Sequence, residues 1–511
     1  MLDMNRRYPE EEGIPSLFLF NMMKRWEKDL CHVHGYVILR NGKLAAEAFR
    51  HPFSKESRRL VHSVSKTITA IGIGIAVDEG LLSVRDKVLS FFPEYRSPLQ
   101  KAAYLSELTI QNLLAMSAGQ EGDSIDDIYN EREAAWKSFL NLEIKNKPGT
   151  VFAYNSAATY MLSKILTIKT GMTLLEYLKP RLFEPLGITN ITWDKMDGVN
   201  TGGWGCEIAL EDMAKVGQLL LQKGKWGDIR LLSEAWVEEM SSKQIETMDT
   251  QVYEDWKQGY CYQMWRCSRE GCYRADGAFG QYILVLPPKN MVAAIWSEDA
   301  YSQDMLNSFW EEVYDKIPDQ SCGVDGKAYA VYQNYCREWG TPVRYPASFS
   351  YLETQVSEQE YVAVENSENP DNCVERIRFF FTDDDQLQIR FVKDEAVTTI
   401  YAGNTKAFIG ETQQTFEIAS FIRLKSLRKQ PVLYAAHYHW MSERALLIHI
   451  DWLHTAHSTE ITCLFGSEHI TAVFTPSYEK FQIGGKSSPA LCITSQSFIG
   501  KKHRVYKGSA D

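Results

Sequence analysis

The chain has 511 residues, 44% of them hydrophobic, more than one core ordinarily supports and enough to give each of two domains its own. Sixty-six acidic residues against 55 basic ones leave a net charge of −11, which argues against a nucleic-acid backbone as the main partner. No segment approaches the roughly eighteen uninterrupted apolar residues of a membrane span.

The opening stretch MLDMNRRYPEEEGIPS has two arginines but no apolar run behind them, so no secretion signal is expected. Ten cysteines are scattered without a paired framework, as where thiols stay reduced, and a cytoplasmic location is expected. Cys267 and Cys272 read as two thiols flanking a turn.

Residues 35–49 alternate apolar and polar positions around Asn41-Gly42, a strong hairpin signal. The segment RRLVHSVSKTITAIGIGIAVDEG then predicts a largely buried helix from Val64 through Val77, ending near Gly80. Further helices are expected at TIQNLLAMSA, ATYMLSKILTIKTG, TLLEYLKPRLFEPLG, LEDMAKVGQLLLQKG and SEAWVEEMSSKQI, and strands return at QYILVLP and NMVAAIWS. Strands at both ends and helices between them predict an α+β domain over 1–318, one sheet assembled from both ends with helices against it. From 326 to 511 short alternating segments rich in Ile, Phe, Thr and Val, such as RIRFFFTDDDQLQIRFV and ALLIHIDWLH, predict an antiparallel β sandwich or barrel. The tail GKKHRVYKG reads as a solvated end.

The tetrapeptide S-x-x-K occurs at Ser63–Lys66, Ser426–Lys429 and Ser477–Lys480, and only the first is followed by a long apolar helix. There both side chains share one helix face. A serine becomes a nucleophile when a base takes its proton, and a lysine is that base only if burial lowers its pKa. Read alone, Ser63 is first a helix cap and Lys66 a solvated charge, and only the surrounding motifs turn the reading toward catalysis. A Ser-His-Asp arrangement within the first domain is disfavoured. No histidine lies between His62 and His437, and no G-x-S-x-G surrounds a serine. His62, on a different face from Ser63, is expected to pack. Tyr154, in PGTVFAYNSAATYML, stands where a helix begins near Asn155 or Ser156, and a phenol there can shuttle a proton. Gly277 and Gly280 lead into an apolar strand whose edge lets a ligand approach the backbone.

With HSVSKTITAIGIGIAVDEGLLSVRDKV, LTIQNLLAMSAG, PGTVFAYNSAATYML, GGWGCEIALEDMAKVGQLLLQKGKWG and ADGAFGQYILVLPPKNMVAAI in order, the sequence resembles the serine hydrolases of the beta-lactamase and penicillin-binding-protein superfamily. The likeness lies with the branch of class C beta-lactamases, DD-peptidases and esterases, over about residues 10–315. It implies an antiparallel sheet with flanking helices and an all-helical subdomain. It also implies Ser63 as acylated nucleophile, Lys66 as its proton acceptor, Tyr154 as the proton relay, and an oxyanion hole from the backbone N–H groups of Ser63 and Ala278. No cofactor or metal is implied, and the partner expected is a small ester, amide or peptide.

Two departures stand out. The family's Y-x-N or S-x-N motif reads Tyr154-Asn155-Ser156 here, so either Asn155 or Ser156 orients the substrate. Its cation-x-Gly motif reads Ala275-Asp276-Gly277, with Ala275 and Gly277 at substrate-binding positions and no cation. The loss weakens the case for carboxylated substrates and favours neutral esters or amides. Arg274 could replace that cation only if the strand shifted by one residue, turning its neighbours over. The alternative reading is a slow or inactive acyl-acceptor that senses a ligand. In the C-terminal domain His437 and His439 share a strand face, with His449, His454 and His457 following, and no carboxylate or cysteine sits at a persuasive metal-binding spacing.

Overall fold

The computed structural model describes residues 6–95, 102–129, 134–299, 302–318, 322–339, 344–366, 374–382, 384–413, 431–477 and 496–502. They form two compact units, Met1–Arg50 with Lys55–Trp339, and His51–Ser54 with Gly340–Asp511.

In the first unit Asn41 and Gly42, at φ of 53° and 73°, turn β1 (Val33–Arg40) into β2 (Lys43–Phe49). Four strands join from the far end, β3 (Trp265–Arg266), β4 (Tyr273–Gly277), β5 (Gln281–Leu286) and β6 (Met291–Ser297). The antiparallel order is β3-β4-β5-β6-β1-β2, with Tyr36 opposite Ile295 and Ile38 opposite Ala293. One sheet is thus built from both ends, as the sequence expects.

Around it pack α1 (Ser16–Lys28), α2 (Val64–Asp78), α3 (Ser156–Thr170), α4 (Leu210–Leu221), α5 (Ser302–Glu312) and α6 (Gly326–Trp339). Strand alternation sends Val37, Leu39, Ile283 and Val292 into a core shared with α2, α3 and α4. It sends Tyr36, Ile38, Leu284 and Ala293 into a second core with α1, α5 and α6. Because both faces are covered, β1 is buried along its whole length rather than at alternate residues.

Helix α2 runs through the first core and is buried from Val64 to Ala76, as its all-round apolar sequence demands. Ile68, Ile71 and Ile73 are fully buried, and truncating any of them to Ala costs about 2–5 kcal/mol. Its polar residues are satisfied internally. The hydroxyls of Thr67 and Thr69 donate to the carbonyls of Gln263 and Gly202, each at 2.8 Å. Those bonds fix the 202–203 and 263–265 segments beside the first turn of α2.

The second unit is a sheet of ten strands, β7 (Glu360–Asn366), β8 (Arg376–Phe381), β9 (Gln386–Lys393), β10 (Ala396–Gly403), β11 (Phe408–Thr412), β12 (Val432–Ser442), β13 (Ala445–Trp452), β14 (Ser458–Phe465), β15 (His469–Pro476) and β16 (Gln496–Lys502). Its order is β10-β9-β8-β7-β16-β15-β14-β13-β12-β11, and a bridge from Gly403 to His437 joins β10 to β12. Of the sandwich and barrel expected, the structure is the nearly closed barrel. Alternate residues, among them Phe379, Ile389, Ile400, Tyr438, Ile448 and Ile461, fill its interior.

Candidate active site

Ser63 is the residue before α2, and its side chain caps no backbone N–H, which leaves Oγ available. The chain enters the helix through His62 at φ 46°, a left-handed conformation that a non-glycine residue adopts at a cost. The His62 ring packs 5.7 Å from that of Phe279. Lys66 is 1% exposed, and its ammonium donates to Ser63 Oγ at 3.0 Å, Ser156 Oγ at 3.0 Å and the Gly203 carbonyl at 2.8 Å. All three acceptors are uncharged. Burial lowers the Lys66 pKa to about 8, against the opposing pull of Asp123 and Asp276. A neutral Lys66 is therefore far more accessible near neutral pH than a free lysine. Gly203 keeps this approach open, since a Cβ there would lie 3.0 Å from the Ser156 carbonyl oxygen and 3.5 Å from Lys66 Nζ.

Tyr154 places its hydroxyl beside Ser63, and its ring centre lies 4.9 Å from Lys66 Nζ. The ring stacks on Trp265 at 6.1 Å and stands edge-on to Tyr260. Burial raises its pKa well above the ordinary phenol range, with Asp276 and Asp123 adding to the effect, so Tyr154 holds its proton at neutral pH and can give it away. The structure thus brings Ser63, Lys66 and Tyr154 together.

Asn155 and Ser156 take different places. Asn155 caps α3, its Oδ1 accepting from Ala157 N at 3.0 Å, while its Nδ2 donates to Ser124 Oγ at 3.1 Å. Ser156 is the one that meets Lys66. Its own hydroxyl donates to Asp123 Oδ2 at 2.7 Å and its backbone N–H to Asp123 Oδ1 at 2.8 Å.

Strand β4 runs against the entry to α2. A Cβ on Gly277 would lie 2.4 Å from the Val61 carbonyl oxygen, so only glycine lets the strand lie this close, with Ala278 exposed at its end. Ala275 is 1% exposed and sits in the hydrophobic core, two residues before Gly277 on the same strand. Arg274 is fully buried too. It donates to Asp276 Oδ2 at 3.0 Å and to the carbonyls of Asp255 and Arg266, beneath the Trp256 ring. Buried and engaged by these partners, it offers no cation to a substrate. Asp276 instead brings a carboxyl near Lys66 and Tyr154. Burial raises its pKa to about 6 against the pull of Arg274.

Sequence reasoning missed Asp123, the Gly203 carbonyl, Trp265 and Asp276. Trp265 pairs with Arg274 across β3 and β4, a cross-strand neighbour that a hairpin reading around Cys267 and Cys272 could have supplied. Those two thiols do flank the turn, Cys267 N–H donating to the Cys272 carbonyl, and both are free. Ser426–Lys429 and Lys480 lie outside the described residues, as does most of the basic tail. In the barrel His449 stands 3.3 Å from Asp451 and 3.6 Å from Glu460, and its ring is 5.1 Å from that of His437. Among the described residues no group of three or more His, Cys, Asp or Glu is arranged to hold a metal ion, and no helix is long and apolar enough to cross a membrane.

Residues 31–311 match the protein-family model described as Beta-lactamase. The chain is 27% identical over 282 residues to a 6-aminohexanoate-dimer hydrolase of Paenarthrobacter ureafaciens, covering 50% of this chain and 70% of that protein. It is 24% identical over 302 residues to penicillin-binding protein 4 of Amycolatopsis lactamdurans, covering 51% and 76%. To the lovastatin esterase of Penicillium rubens it is 25% identical over 150 residues, covering 25% and 37%.

Proposed function

The chain belongs to the beta-lactamase family and is a serine hydrolase of amides or esters, and from that premise we propose that it works through an acyl-enzyme on Ser63. The observation that carries this reading is the buried Lys66, held 3.0 Å from Ser63 Oγ by neutral acceptors. Lys66, once neutral, takes the Ser63 proton as Oγ attacks the substrate carbonyl. The backbone N–H groups of Ser63 and Ala278 receive the oxyanion. As the tetrahedral intermediate collapses, Tyr154 gives its proton to the leaving oxygen or nitrogen and is reprotonated by the Lys66 ammonium, which carries the proton taken from Ser63. Water then enters and the same groups work in reverse. No cation stands where the family's third motif supplies one, which favours a neutral or amine-bearing ester or amide over a carboxylated one.

The test is a panel of p-nitrophenyl esters, amino-acid amides and nitrocefin, assayed with the native chain and with Ser63→Ala. Turnover that disappears with Ser63 supports the reading, and undiminished turnover by Ser63→Ala rejects it. The altered motifs Tyr154-Asn155-Ser156 and Ala275-Asp276-Gly277 motivate a second reading, an acyl-acceptor that senses rather than hydrolyses. Stable labelling of Ser63 by a fluorophosphonate, with no substrate of the panel turned over, distinguishes it.

A further inference from the structure

We propose that Asp123 is a positioning residue for the general base, acting on Lys66 through the Ser156 hydroxyl; the proposal rests on Lys66 being the base for Ser63. Hydrogen-bond direction carries the inference. A protonated Lys66 has three N–H groups and three acceptors. A neutral Lys66 has two N–H groups and one lone pair, and that lone pair must face Ser63 for the proton to move. The Gly203 carbonyl can only accept, so it claims one N–H. Ser156 is ambivalent, because a hydroxyl either donates or accepts. Were its proton turned toward Lys66, it would capture the lone pair and leave Ser63 facing an N–H.

Asp123 removes that choice. Its two carboxylate oxygens take both protons that Ser156 offers, Oδ1 the backbone N–H at 2.8 Å and Oδ2 the hydroxyl at 2.7 Å. An ionised carboxylate cannot donate back, so the Ser156 oxygen is left to accept from Lys66 at 3.0 Å. With two of its three neighbours fixed as acceptors, neutral Lys66 turns its lone pair to Ser63. An asparagine at 156, the amide of the family's Y-x-N pattern, would present to Lys66 a carbonyl oxygen, an acceptor that bears no proton of its own. The carboxylate supplies a constraint that the amide would not need.

The bond to the Ser156 N–H also lets Asp123 act merely as an anion at the start of α3, and the experiment must separate the two roles. Asp123→Asn keeps the shape but only one acceptor oxygen. With that oxygen on the Ser156 N–H, the amide N–H faces Ser156 Oγ and turns its proton toward Lys66. With any ester of the panel that the native chain hydrolyses, kcat per fluorophosphonate-titrated Ser63 is expected to fall about 10–100-fold, with KM within about twofold. In a Ser156→Asn background, Asp123→Asn is expected to change kcat by less than about threefold. Titrating the serine removes any misfolded fraction from the comparison. The proposal is overturned if kcat per titrated serine in Asp123→Asn stays at the native value, whether the melting temperature alone falls or the pH profile alone moves. Should Ser63→Ala remain active, the acyl-enzyme reading fails first. A dead Ser63→Ala with an unaffected Asp123→Asn rejects only the role of Asp123.

Discussion

Each unit carries a largely buried base, and the two bases are driven in opposite directions. In the first, Lys66 meets only uncharged acceptors directly, so burial prevails and its pKa falls to about 8. In the barrel, burial alone would lower His449 as well, but its bonds to Asp451 and Glu460 outweigh burial and carry it up to about 9. His437, whose largest influences are burial and then the neighbouring His449, falls to about 3. The chemistry of the immediate neighbours decides the outcome. Neutral acceptors leave an amine able to shed its proton and act as a reagent, whereas carboxylates keep an imidazolium charged and make it a brace between β13 and β14.

The sharpest way to break this contrast is to remove each base. Lys66→Met is expected to lower kcat by at least about 10³-fold without lowering the melting temperature, because an apolar side chain relieves the cost of burying a cation. His449→Ala is expected to lower the melting temperature of the barrel, since it leaves two carboxylates without their cation. Calorimetry beside ester turnover checks both. A Lys66→Met protein that melts well below the native one would make Lys66 a structural residue.

Tyr154→Phe comes next, with a loss of about 10²–10³-fold in kcat. It removes the proton donor and keeps the ring stacked on Trp265, so the effect should appear in kcat and not in stability. Equal activity with a fast-leaving p-nitrophenyl ester and a slow-leaving alkyl ester would contradict its role as donor to the leaving group.

Why some of these residues are legible in sequence and others are not follows from separation along the chain. Ser63 and Lys66 are three apart at the start of one apolar helix, so local geometry alone puts them on one face. Tyr154 was visible as the residue entering the next helix. Gly203, however, meets Lys66 across 137 residues, and Asp123 meets Ser156 across 33, each from a loop that no periodicity marks. Asn155 and Ser156 could not be separated without the direction in which α3 leaves its cap. In the barrel, alternation marked segments such as RIRFFFTDDDQLQIRFV and ALLIHIDWLH as strands, but closure depends on twist and stagger, which leave the pattern unchanged.

Smaller effects lie in pH dependence. Below pH 8 Lys66 is mostly protonated, so kcat/KM is expected to climb with pH through about 8, close to tenfold for each unit below it. The folded-state pKa lies below the value of 10.5 for a free lysine, so the unfolded chain binds more protons between pH 8 and 10.5, and Lys66 makes the first unit more stable as pH rises across that window. The barrel should respond with the opposite sign. His449 is raised from 6.5 to about 9, so its contribution is complete below pH 6.5 and is lost as pH rises through 9. His437 is lowered from 6.5 to about 3, so stability falls as pH drops below 6.5. The histidine contribution to the barrel should therefore peak near pH 6.5, which thermal denaturation across pH would read. A contribution that grew between pH 7 and 9 would contradict the assignment of His449.

The most direct measurement is the pre-steady-state burst of p-nitrophenol from an activated ester, followed against pH, with the acylated peptide located by mass spectrometry. The account predicts close to one equivalent released per chain, at a rate that climbs as pH passes about 8, with the acyl group on Ser63. A burst rate indifferent to pH between 6 and 9, or an acyl group on any other residue, would contradict a neutral Lys66 as the base that arms Ser63.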